Sequence, residues 1–336
     1  MSERAYVTFV MRNDAYVPGA LVFAYAIRAQ GASADLVCLI GDGVSTHAQE
    51  TLRVLYDHVL RVEEIYIPHK HRHERQDRPF LFTRFQALRL GADGDLGCAY
   101  KDIVVADSDV LPLHRYDDLF DVEAPAGIIN ERKEHCVEAV NGAYVVPDSV
   151  DIDGTWIWHR VYEDIPMGAP IPRAVTDRVK DDPENMGVNA ALYRLRPSMA
   201  LYEAIREDIE SAKTQEDIGG YAWPEMQYIT AYLSGQWHNL DLRFASFNGY
   251  PRIDVLYGIH YAGLKPWRRT HRSIEHFSRY DDYRLWQATF IAMMRRYPAL
   301  REARSLERLE AWIEERQDRN HAISEHSWPD HVKHLF

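Results

Sequence analysis

The sequence predicts an α/β fold in which a doubly wound, mixed sheet carries a helical C-terminal extension. Three observations predict it. Short apolar runs recur in the first half of the chain, segments of helical spacing separate them, and the pattern turns helical after Trp267. Alternating strands and helices are typical of a mostly parallel sheet covered by helices. We expect one domain over residues 1–268, with an insertion at about 133–183, and the extension over 269–336.

In the first half of the chain, apolar runs typical of strands alternate with segments of helical spacing. Apolar runs at residues 6–10 and 36–40, and one that begins at Val59, predict the first three strands. A capped helix follows the first strand, and residues 46–57 have helical spacing. In the second half, Pro224 marks the start of a further helix, because proline is favoured in a first helical turn.

Composition narrows the class of protein. The chain has 336 residues and a formal net charge of −12 at pH 7. Nucleic-acid partners are not expected, because phosphate backbones are bound by clustered lysine and arginine. Cys38, Cys98 and Cys136 are scattered and form no CxxC pair, which is typical of reduced thiols. No signal peptide and no run of about 18 apolar residues is visible, so a cytoplasmic protein without a transmembrane span is expected.

The segment most informative for function is an apolar run that ends in two carboxylates. Residues 103–106 have the character of a buried strand, and Asp107 and Asp109 follow. In an extended chain, residues two apart point to the same side. Ligands of open α/β sheets bind at the carboxyl ends of the strands. Because two ionised carboxylates this close repel each other unless a cation lies between them, the pair predicts half of a divalent-metal site.

Five ordered segments carry a resemblance to a known family. They are residues 5–22 (with Ala5-Tyr6-Val7-Thr8 and Asn13-Asp14-Ala15-Tyr16), Phe82-Thr83-Arg84-Phe85, Asp107-Ser108-Asp109 with Asp117-Asp118-Leu119-Phe120, Glu184-Asn185-Met186-Gly187-Val188, and His260-Tyr261-Ala262-Gly263-Leu264-Lys265-Pro266-Trp267. In this order they resemble the family 8 retaining glycosyltransferases, a group that includes glycogenin, galactinol synthase and bacterial lipopolysaccharide hexosyltransferases. The likeness covers roughly residues 5–268.

The resemblance implies a GT-A type, Rossmann-like fold and a hexosyltransferase activity. The donor would be UDP-glucose or UDP-galactose, and the acceptor an unidentified hydroxyl of a sugar, a polyol, a glycan or a protein tyrosine. Asp107, Asp109 and His260 would hold a metal ion. Two carboxylate ligands and one imidazole, with diphosphate oxygens completing an octahedron, suit Mn²⁺, with Mg²⁺ as the alternative. A metal and a basic side chain such as Lys265 together would neutralise the departing diphosphate.

The resemblance also implies which residues bind the donor. They are Thr8, Asp14, Tyr16, Arg78, Arg84, Ser108, Asn185, Gly263 and Lys265. Thr8 and Tyr16 would hold the uracil, and the Ser108 backbone would lie near the ribose. Arg78 and Arg84 would serve the diphosphate and the sugar. Arg84 stands where glycogenin-like chains have lysine.

The catalytic residues implied by the resemblance are Glu225, Gln227 and Arg84. Glu225 aligns with the family's sugar-binding carboxylate, but Met226 stands where glutamine usually lies by the anomeric carbon. Methionine is neither a nucleophile nor a polar stabiliser, and Gln227 serves there only if the register slips by one residue. These substitutions favour front-face attack, in which the leaving phosphate deprotonates the acceptor. The loop from Gly263 to Lys265 is also one residue shorter than in glycogenin-like chains.

Two functions of other classes stay open. Met226 and the shortened loop also fit a pseudoenzyme that binds a nucleotide sugar without turnover. The apolar run before Asp107 also fits haloacid-dehalogenase-like phosphatases, in which this aspartate would be a covalent nucleophile. Each residue has a structural alternative as well: Asp-x-Asp occurs in ordinary turns, Tyr16 fits a helix core, and His260 fits a satisfied core histidine.

Two regions outside the motifs also allow predictions from the sequence. The insertion at about 133–183 is rich in Pro, Asp, Trp and Tyr, which indicates loops, and we expect the acceptor surface there. Leu306, Leu309 and Ile313 form one apolar stripe at helical spacing. Such a helix docks either on the domain or on a second subunit, so a homodimer is one expectation.

Overall fold

The structure of the protein is a computed structural model. It describes residues 2–68, 78–131, 138–140, 143–145, 164–248, 253–271, 280–320 and 328–336. The side chains of residues 78, 138–140, 143–145 and 317–320 are outside this description. None of the described helices has the length and apolar character needed to cross a membrane.

Twelve strands form three sheets in the described ranges. In chain order they are β1 (Arg4–Val10), β2 (Asp35–Ile40), β3 (His58–Arg61), β4 (Asp102–Ala106), β5 (Val110–Pro112), β6 (Ala126–Ile129), β7 (Glu138–Val140), β8 (Ala143–Val145), β9 (Val188–Leu195), β10 (His238–Asn239), β11 (Ser246–Phe247) and β12 (Gly258–His260). The main sheet has the order β10-β6-β9-β4-β1-β2-β3. Only β9 runs against its neighbours there, so the predicted doubly wound, mixed sheet is confirmed.

Eight α-helices accompany these strands in the part of the chain that is described. They are α1 (Val17–Ala29), α2 (Thr46–Leu52), α3 (Arg173–Thr176), α4 (Met199–Glu210), α5 (Ala212–Gly220), α6 (Pro224–Tyr232), α7 (Asp281–Arg296) and α8 (Arg304–Asn320). The helix predicted over residues 46–57 ends at Leu52, because the chain then turns to bring Asp57 against β2. There the Asp57 carboxylate accepts a 2.7 Å hydrogen bond from the amide of Leu36. A 3₁₀ helix, Arg78–Leu90, precedes β4 along the chain.

A smaller sheet, in the order β11-β12-β5, joins distant parts of the chain. Its strand β5 begins directly after Asp109. Antiparallel pairing places His260, at the end of β12, opposite Val110 at the start of β5. This register carries the histidine from the second half of the chain to the carboxyl end of β4, where the paired aspartates lie.

Helix α1 is buried along most of its length and packs against α2, α7 and β5. Gly19 permits its close approach to the carboxyl end of β4. A Cβ atom at this position would lie 2.3 Å from the carbonyl oxygen of Ser108 and 2.5 Å from the indole ring of Trp267. These distances are well inside van der Waals contact, so only glycine fits without displacing the neighbouring backbone.

The predicted helical extension is confirmed, and it is part of the core. Trp286 of α7 is fully buried, stacks on Phe290 at 5.5 Å between ring centroids, and contacts the ring of Trp267. The predicted stripe of Leu306, Leu309 and Ile313 is buried within the chain. The apolar face that motivated a homodimer is therefore already covered, which leaves the homodimer without support. The boundary at residue 268 stays a prediction.

The described half of the insertion is anchored to the edge of the main sheet. Pro170 forms an antiparallel bridge with His238, and the amide of Ile171 donates to the carbonyl of Trp237 at 2.7 Å. Helix α3 follows this anchor. Most of residues 133–163, where the acceptor surface is expected, lies outside the described residues.

Candidate metal and donor site

Backbone hydrogen bonds place the two aspartates at the end of β4. The amide of Asp107 donates to the carbonyl of Ala191 in β9 at 2.9 Å. The amide of Val110 then closes a turn on the carbonyl of Asp107 at 3.1 Å, and the carbonyl of Asp109 accepts from the amide of Tyr261 at 2.9 Å. Both carboxylates are therefore presented by a braced turn between two sheets.

The three predicted metal ligands converge. Asp107, Asp109 and His260 each offer one ligand atom, and these atoms lie within 4.8 Å of one another. The Nε2 atom of His260 is 3.5 Å from Oδ1 of Asp109. Asp109 and His260 are buried, whereas the Asp107 side chain is 29% exposed, which leaves the cluster open on one side. Two carboxylates and an imidazole fit a divalent cation such as Mn²⁺ or Mg²⁺.

Arg84 is buried between two of the site's carboxylates. Its Nη2 donates to Oδ1 of Asp107 at 3.0 Å and lies 4.0 Å from Oε1 of Glu225. Its Nη1 donates to the carbonyl of Ala190 at 2.5 Å, and its Nε donates to the carbonyl of Leu81 at 3.2 Å. Burial opposes the charge on Arg84, but the two carboxylates outweigh it and raise its pKa. The guanidinium is therefore a fixed cation in the wall of the site.

The pKa of Asp107 depends on burial and on the charges of the side chains around it. Burial raises its pKa to about 6, and the neighbouring Asp109 and Glu225 push in the same direction. Arg84 and Lys265 oppose this shift. The carboxyl group is therefore mostly ionised at neutral pH, as a metal ligand must be.

The predicted diphosphate lysine lies against a predicted metal ligand. The Nζ of Lys265 donates to Oδ2 of Asp109 and, at 2.7 Å, to the carbonyl of Tyr261. The same ammonium is 5.8 Å from the centroid of the Tyr16 ring. Lys265 is buried, so its charge is balanced here by the carboxylate and not by bulk water.

The residues predicted to hold the nucleotide lie along α1 and β1. Thr8 is fully buried, and its hydroxyl has no hydrogen-bond partner among the residues that the structure describes. The half-buried Tyr16 packs edge-on against Trp267 at 5.8 Å, and the Trp267 indole donates to the carbonyl of Ala15 at 2.9 Å. Ser108 is buried beside α1. Ser108 stands between the two aspartates in the chain, and the centroid of the Tyr16 ring is 5.8 Å from Nζ of Lys265.

Asn185 belongs to a separate polar cluster at the same edge of the main sheet. Its Nδ2 donates to Oε1 of Glu131 at 2.8 Å, and its Oδ1 accepts from the amide of Gly187 at 2.8 Å. Gly187 has a φ of +63°, which glycine adopts readily. Arg178 donates to the other oxygen of Glu131 at 3.0 Å. Strand β9 separates this cluster from the metal ligands.

Two residues predicted to lie in the site, Asp14 and Gln227, form structural hydrogen bonds instead. The Asp14 carboxylate accepts from the amide of Ser45 at 2.9 Å and from its hydroxyl at 2.7 Å, at the start of α2. Gln227 is fully buried, and its Oε1 accepts from the amide of Trp223 at 2.6 Å. Its Nε2 donates to the carbonyl of Pro183 at 3.0 Å. Both side chains brace the fold in this conformation and contact none of the metal ligands.

The last two residues predicted to lie in the site are Gly263 and Arg78. Gly263 has a φ of +94° in the turn that connects His260 to Lys265, so its contribution is to the path of the chain. Arg78 begins the 3₁₀ helix that contains Arg84, but its side chain lies outside the described residues. Its predicted contact with a diphosphate stays a prediction.

Residues of the extension support the site, and no sequence motif marks them. The hydroxyl of Tyr283 donates to the carbonyl of Leu264 at 2.7 Å and accepts from Nδ2 of Asn248 at 3.3 Å. The hydroxyl of Tyr261 donates to the carbonyl of Asp282 at 2.6 Å. Helix α7 therefore holds the loop that carries Lys265, through contacts that only the folded chain reveals.

Fold and site together define an α/β protein with a carboxylate–imidazole cluster and two buried cations at the carboxyl edge of its sheet. No protein-family model matches the chain. It is 33% identical over 121 residues to glycogenin of Neurospora crassa, which is 36% of this chain and 17% of that protein. It is 28% identical over 151 residues to human glycogenin-1, which is 45% of this chain and 41% of that protein. The aligned part therefore spans less than half of these relatives.

A longer match links the chain to an uncharacterized protein, R707, of Acanthamoeba polyphaga mimivirus. The two are 25% identical over 280 residues, which is 80% of this chain and 84% of the viral protein. The glycogenin matches confirm the predicted resemblance to the family 8 glycosyltransferases.

Solved structures of glycosyltransferases align with most of the chain. Galactosyltransferase LgtC, in complex with donor and acceptor sugar analogs, matches 83% of this chain and 94% of its own, with 13% identity and a TM-score of 0.49. Glycosyltransferase GlyE of Streptococcus pneumoniae TIGR4 matches 83% of this chain and 60% of its own, with 12% identity and a TM-score of 0.47. At these values the likeness identifies no substrate.

Proposed function

We propose that the protein is a metal-dependent retaining glycosyltransferase that moves glucose or galactose from a UDP-sugar to a hydroxyl acceptor. The observation that carries the proposal is the convergence of Asp107, Asp109 and His260 within 4.8 Å, with Lys265 in contact with the cluster. Transfer from a nucleotide diphosphate requires positive charge where the diphosphate departs, and this cluster can supply it. The resemblance to glycogenin supports the same class.

In this proposal the three ligands hold Mn²⁺, with Mg²⁺ as the alternative. When bound, the metal neutralises the charge that develops on the diphosphate. Lys265 adds a buried positive charge beside it, and Arg78 is a second candidate for the diphosphate. Because the Asp107 side of the cluster is exposed, a nucleotide can approach the metal ligands from there.

The nucleoside part of the donor is assigned to the surface beside α1. Thr8 offers a buried hydroxyl for the uracil, and Tyr16 offers the face of a half-buried ring. The backbone of Ser108 lies between the two aspartates and close to α1, which suits a ribose contact. These three residues would position the base so that the diphosphate reaches Lys265.

The sugar is assigned to Glu225 and to Asn185 with its partner Glu131. Arg84 is placed to hold Glu225 and Asp107 in position, since it lies between them. The bond from the anomeric carbon to the phosphate oxygen breaks, and the acceptor oxygen bonds to that carbon on the same face. The acceptor proton passes to the leaving phosphate. Front-face attack of this kind needs no protein nucleophile, which agrees with Met226 in the chain.

The experiment is UDP release from a panel of nucleotide sugars, first with Mn²⁺ and then with excess chelator. We expect release from one UDP-hexose that chelator abolishes and that Asp109→Asn reduces at least a hundredfold. Asp118→Asn is the matched control, because Asp118 forms a surface ion pair with Arg115. Transfer by Asp109→Asn at the wild-type rate with metal present would contradict the proposal.

A nucleotide-sugar-binding pseudoenzyme is the second candidate, favoured by one observation. The amide of Gln227 is bonded at both ends to backbone, and Met226 precedes it, so neither offers a polar group to the anomeric carbon. Tight, Mn²⁺-dependent UDP binding with no release from any donor and acceptor would select this candidate. The phosphatase alternative is less suitable, because β4 is the fourth strand along the chain and not the first. A beryllium fluoride adduct on Asp107 would revive it.

A further inference from the structure

Strand β9 changes its register against β6 where it passes the metal ligands. Gly127 of β6 faces Tyr193, but the next residue of β6, Ile128, faces Asn189. Residues 190–192 therefore have no partner residue in β6, and we call these three residues the β9 bulge. Bulges interrupt the hydrogen-bond ladder, bend the strand and are frequent beside active sites.

Both the amide and the carboxylate of Asp107 are bonded to groups that depend on the β9 bulge. The amide of Asp107 donates to the carbonyl of Ala191 at 2.9 Å. The carboxylate accepts from Nη2 of Arg84 at 3.0 Å, and Nη1 of the same guanidinium donates to the carbonyl of Ala190 at 2.5 Å. Two consecutive carbonyls of the bulge therefore hold one predicted metal ligand, one directly and the other through Arg84.

The side chain of Asn189 stabilises the β9 bulge. Its Oδ1 accepts a 2.9 Å hydrogen bond from the amide of Ala191, a residue that has no partner in β6. Both residues are buried, and a buried amide needs an acceptor. Asparagine is suited to this bond, because its side chain can accept from the backbone amide two residues further along the chain. The bond therefore favours the bulged path of the strand.

We propose that Asn189 is a positioning residue of the metal site, which keeps the β9 bulge in the shape that aligns Asp107. The metal, and the role of Asp107 as its ligand, rest on the proposed function. Asn189 acts through the backbone of Ala191 and through Arg84, and not as a ligand. Groups that orient a metal ligand change the affinity for the metal, because a misaligned ligand binds less well.

The test measures the affinity for Mn²⁺ alone, with free Mn²⁺ counted by electron paramagnetic resonance. Asn189→Ala and Asn189→Ser have side chains of similar size, but the serine hydroxyl offers an acceptor to the amide of Ala191. We expect the alanine variant to bind Mn²⁺ about tenfold more weakly than the wild type, which is the scale typical of groups that orient a metal ligand. The serine variant should recover most of the wild-type affinity.

Asn239→Ala is the matched control. Asn239 of β10 is also buried in the main sheet, and its Nδ2 donates to the carbonyl of Ile165 at 2.5 Å. We expect this variant to melt at a lower temperature in chelator and to bind Mn²⁺ as the wild type does. Asn189→Leu has nearly the shape of asparagine and no acceptor, so it replaces Asn189→Ala in the comparison if the alanine variant does not fold.

The outcomes separate this inference from the function on which it rests. Weaker Mn²⁺ binding without the acceptor, restored by serine, supports the inference. If the alanine and serine variants bind Mn²⁺ equally well, or if Asn239→Ala loses as much affinity as Asn189→Ala, Asn189 does not position Asp107, and the transferase proposal stands. If the wild type binds no Mn²⁺ with or without UDP, the metal site itself is wrong and both proposals fail.

Discussion

The hydroxyl of Tyr283 donates a 2.7 Å hydrogen bond to the carbonyl of Leu264, the residue directly before Lys265. A second bond runs from the Tyr261 hydroxyl to the carbonyl of Asp282 at 2.6 Å, so helix α7 holds the loop at two points. The ammonium that contacts Asp109 is therefore positioned by the C-terminal extension. The extension is part of the site's scaffold.

We predict that Tyr283→Phe loosens the Lys265 loop. The substitution removes the hydroxyl's bonds to the Leu264 carbonyl and to Nδ2 of Asn248, and we expect it to lower the free energy of unfolding by about 1–3 kcal/mol. It should also weaken UDP binding at saturating Mn²⁺ by roughly tenfold, because a loss of about 1.4 kcal/mol in binding corresponds to that factor. Urea unfolding and calorimetric titration measure the two effects.

Tyr25→Phe is the matched control for this prediction. The Tyr25 hydroxyl is also buried and also donates to a backbone carbonyl, that of Leu335, at 2.9 Å. We expect a similar loss of stability with unchanged UDP affinity. Equal UDP affinity in Tyr283→Phe and the wild type would show that α7 does not position the loop.

The local parts of the fold could be predicted from the sequence. The runs at residues 6–10 and 36–40 form strands because every residue of each is buried in a central parallel sheet, where apolar side chains are needed throughout. The pairing of β5 with β12 joins residues almost 150 positions apart, and the reversed direction of β9 depends on both of its neighbours. No local pattern encodes such contacts.

Some features of the site could likewise be predicted from the sequence, and others could not. The carboxylates at Asp107 and Asp109 could be predicted because they directly follow a buried strand, although a turn and not an extended chain sets their direction. The resemblance added His260 and Lys265. The hydrogen bonds of Asp14 and Gln227 could not be predicted, because their partners are backbone groups that only folding brings close. The same residue type can bind a ligand or stabilise a loop, so the sequence alone does not show which role a side chain has.

We predict that lysine cannot replace Arg84, although glycogenin-like chains have lysine at this position. One ammonium cannot reach Asp107 and the carbonyls of Ala190 and Leu81 together, which the forked guanidinium does. We expect Arg84→Lys to lower the free energy of unfolding by about 1–3 kcal/mol, because it leaves buried acceptors unpaired. Metal affinity should fall as well, since Asp107 loses an aligned partner.

Arg89→Lys is the control, since Arg89 belongs to the same 3₁₀ helix and binds Asp95, whose side chain is 55% exposed. Because water can reach the Asp95 carboxylate in the variant, we expect this substitution to destabilise the protein less than Arg84→Lys does. Measurement of both variants in urea decides the matter. The explanation fails if the two lysine substitutions have equal effects.

We predict a loss of stability in mild acid from a histidine cluster at the C-terminal end of the described chain. The ring centroids of His114 and His331 are 4.7 Å apart, and His334 follows one turn later. Burial, with His331 and then Arg115 adding to it, lowers the pKa of His114 to about 4. Burial also lowers the pKa values of His331 and His334.

The sign follows from proton uptake. A histidine in the unfolded chain has a pKa of about 6.5, so below that pH the unfolded state binds a proton that His114 in the folded state takes up only near pH 4. The free energy of unfolding therefore decreases as the pH falls from 6.5 towards 4. We expect His114→Gln to remove about 1–2 kcal/mol of this decrease. Urea unfolding at pH 7.5, 6 and 5 measures this decrease, with His47→Gln, a substitution at an exposed site, as the matched variant.

The close approach of α1 to the metal ligands gives the last prediction. An alanine Cβ at Gly19 would lie 2.3 Å from the carbonyl oxygen of Ser108 and 2.5 Å from the ring of Trp267. Alanine favours a helix over glycine by about 1 kcal/mol, but we expect the clash to dominate and to destabilise the protein by about 1–3 kcal/mol. Because Ser108 lies between Asp107 and Asp109, its displacement should also weaken Mn²⁺ binding.

Gly220→Ala separates the clash from the change of residue type. Gly220 is also helical, and nothing lies within 4 Å of a Cβ atom built there. We expect this variant to unfold at the wild-type denaturant concentration or above it, with unchanged Mn²⁺ affinity. If Gly19→Ala behaves in the same way, α1 can move away from β4 without cost, and the geometry of the carboxylate pair does not depend on its packing. A loss of both stability and Mn²⁺ affinity in Gly19→Ala alone would show that the helix sets the position of Ser108 and therefore of the aspartates on either side.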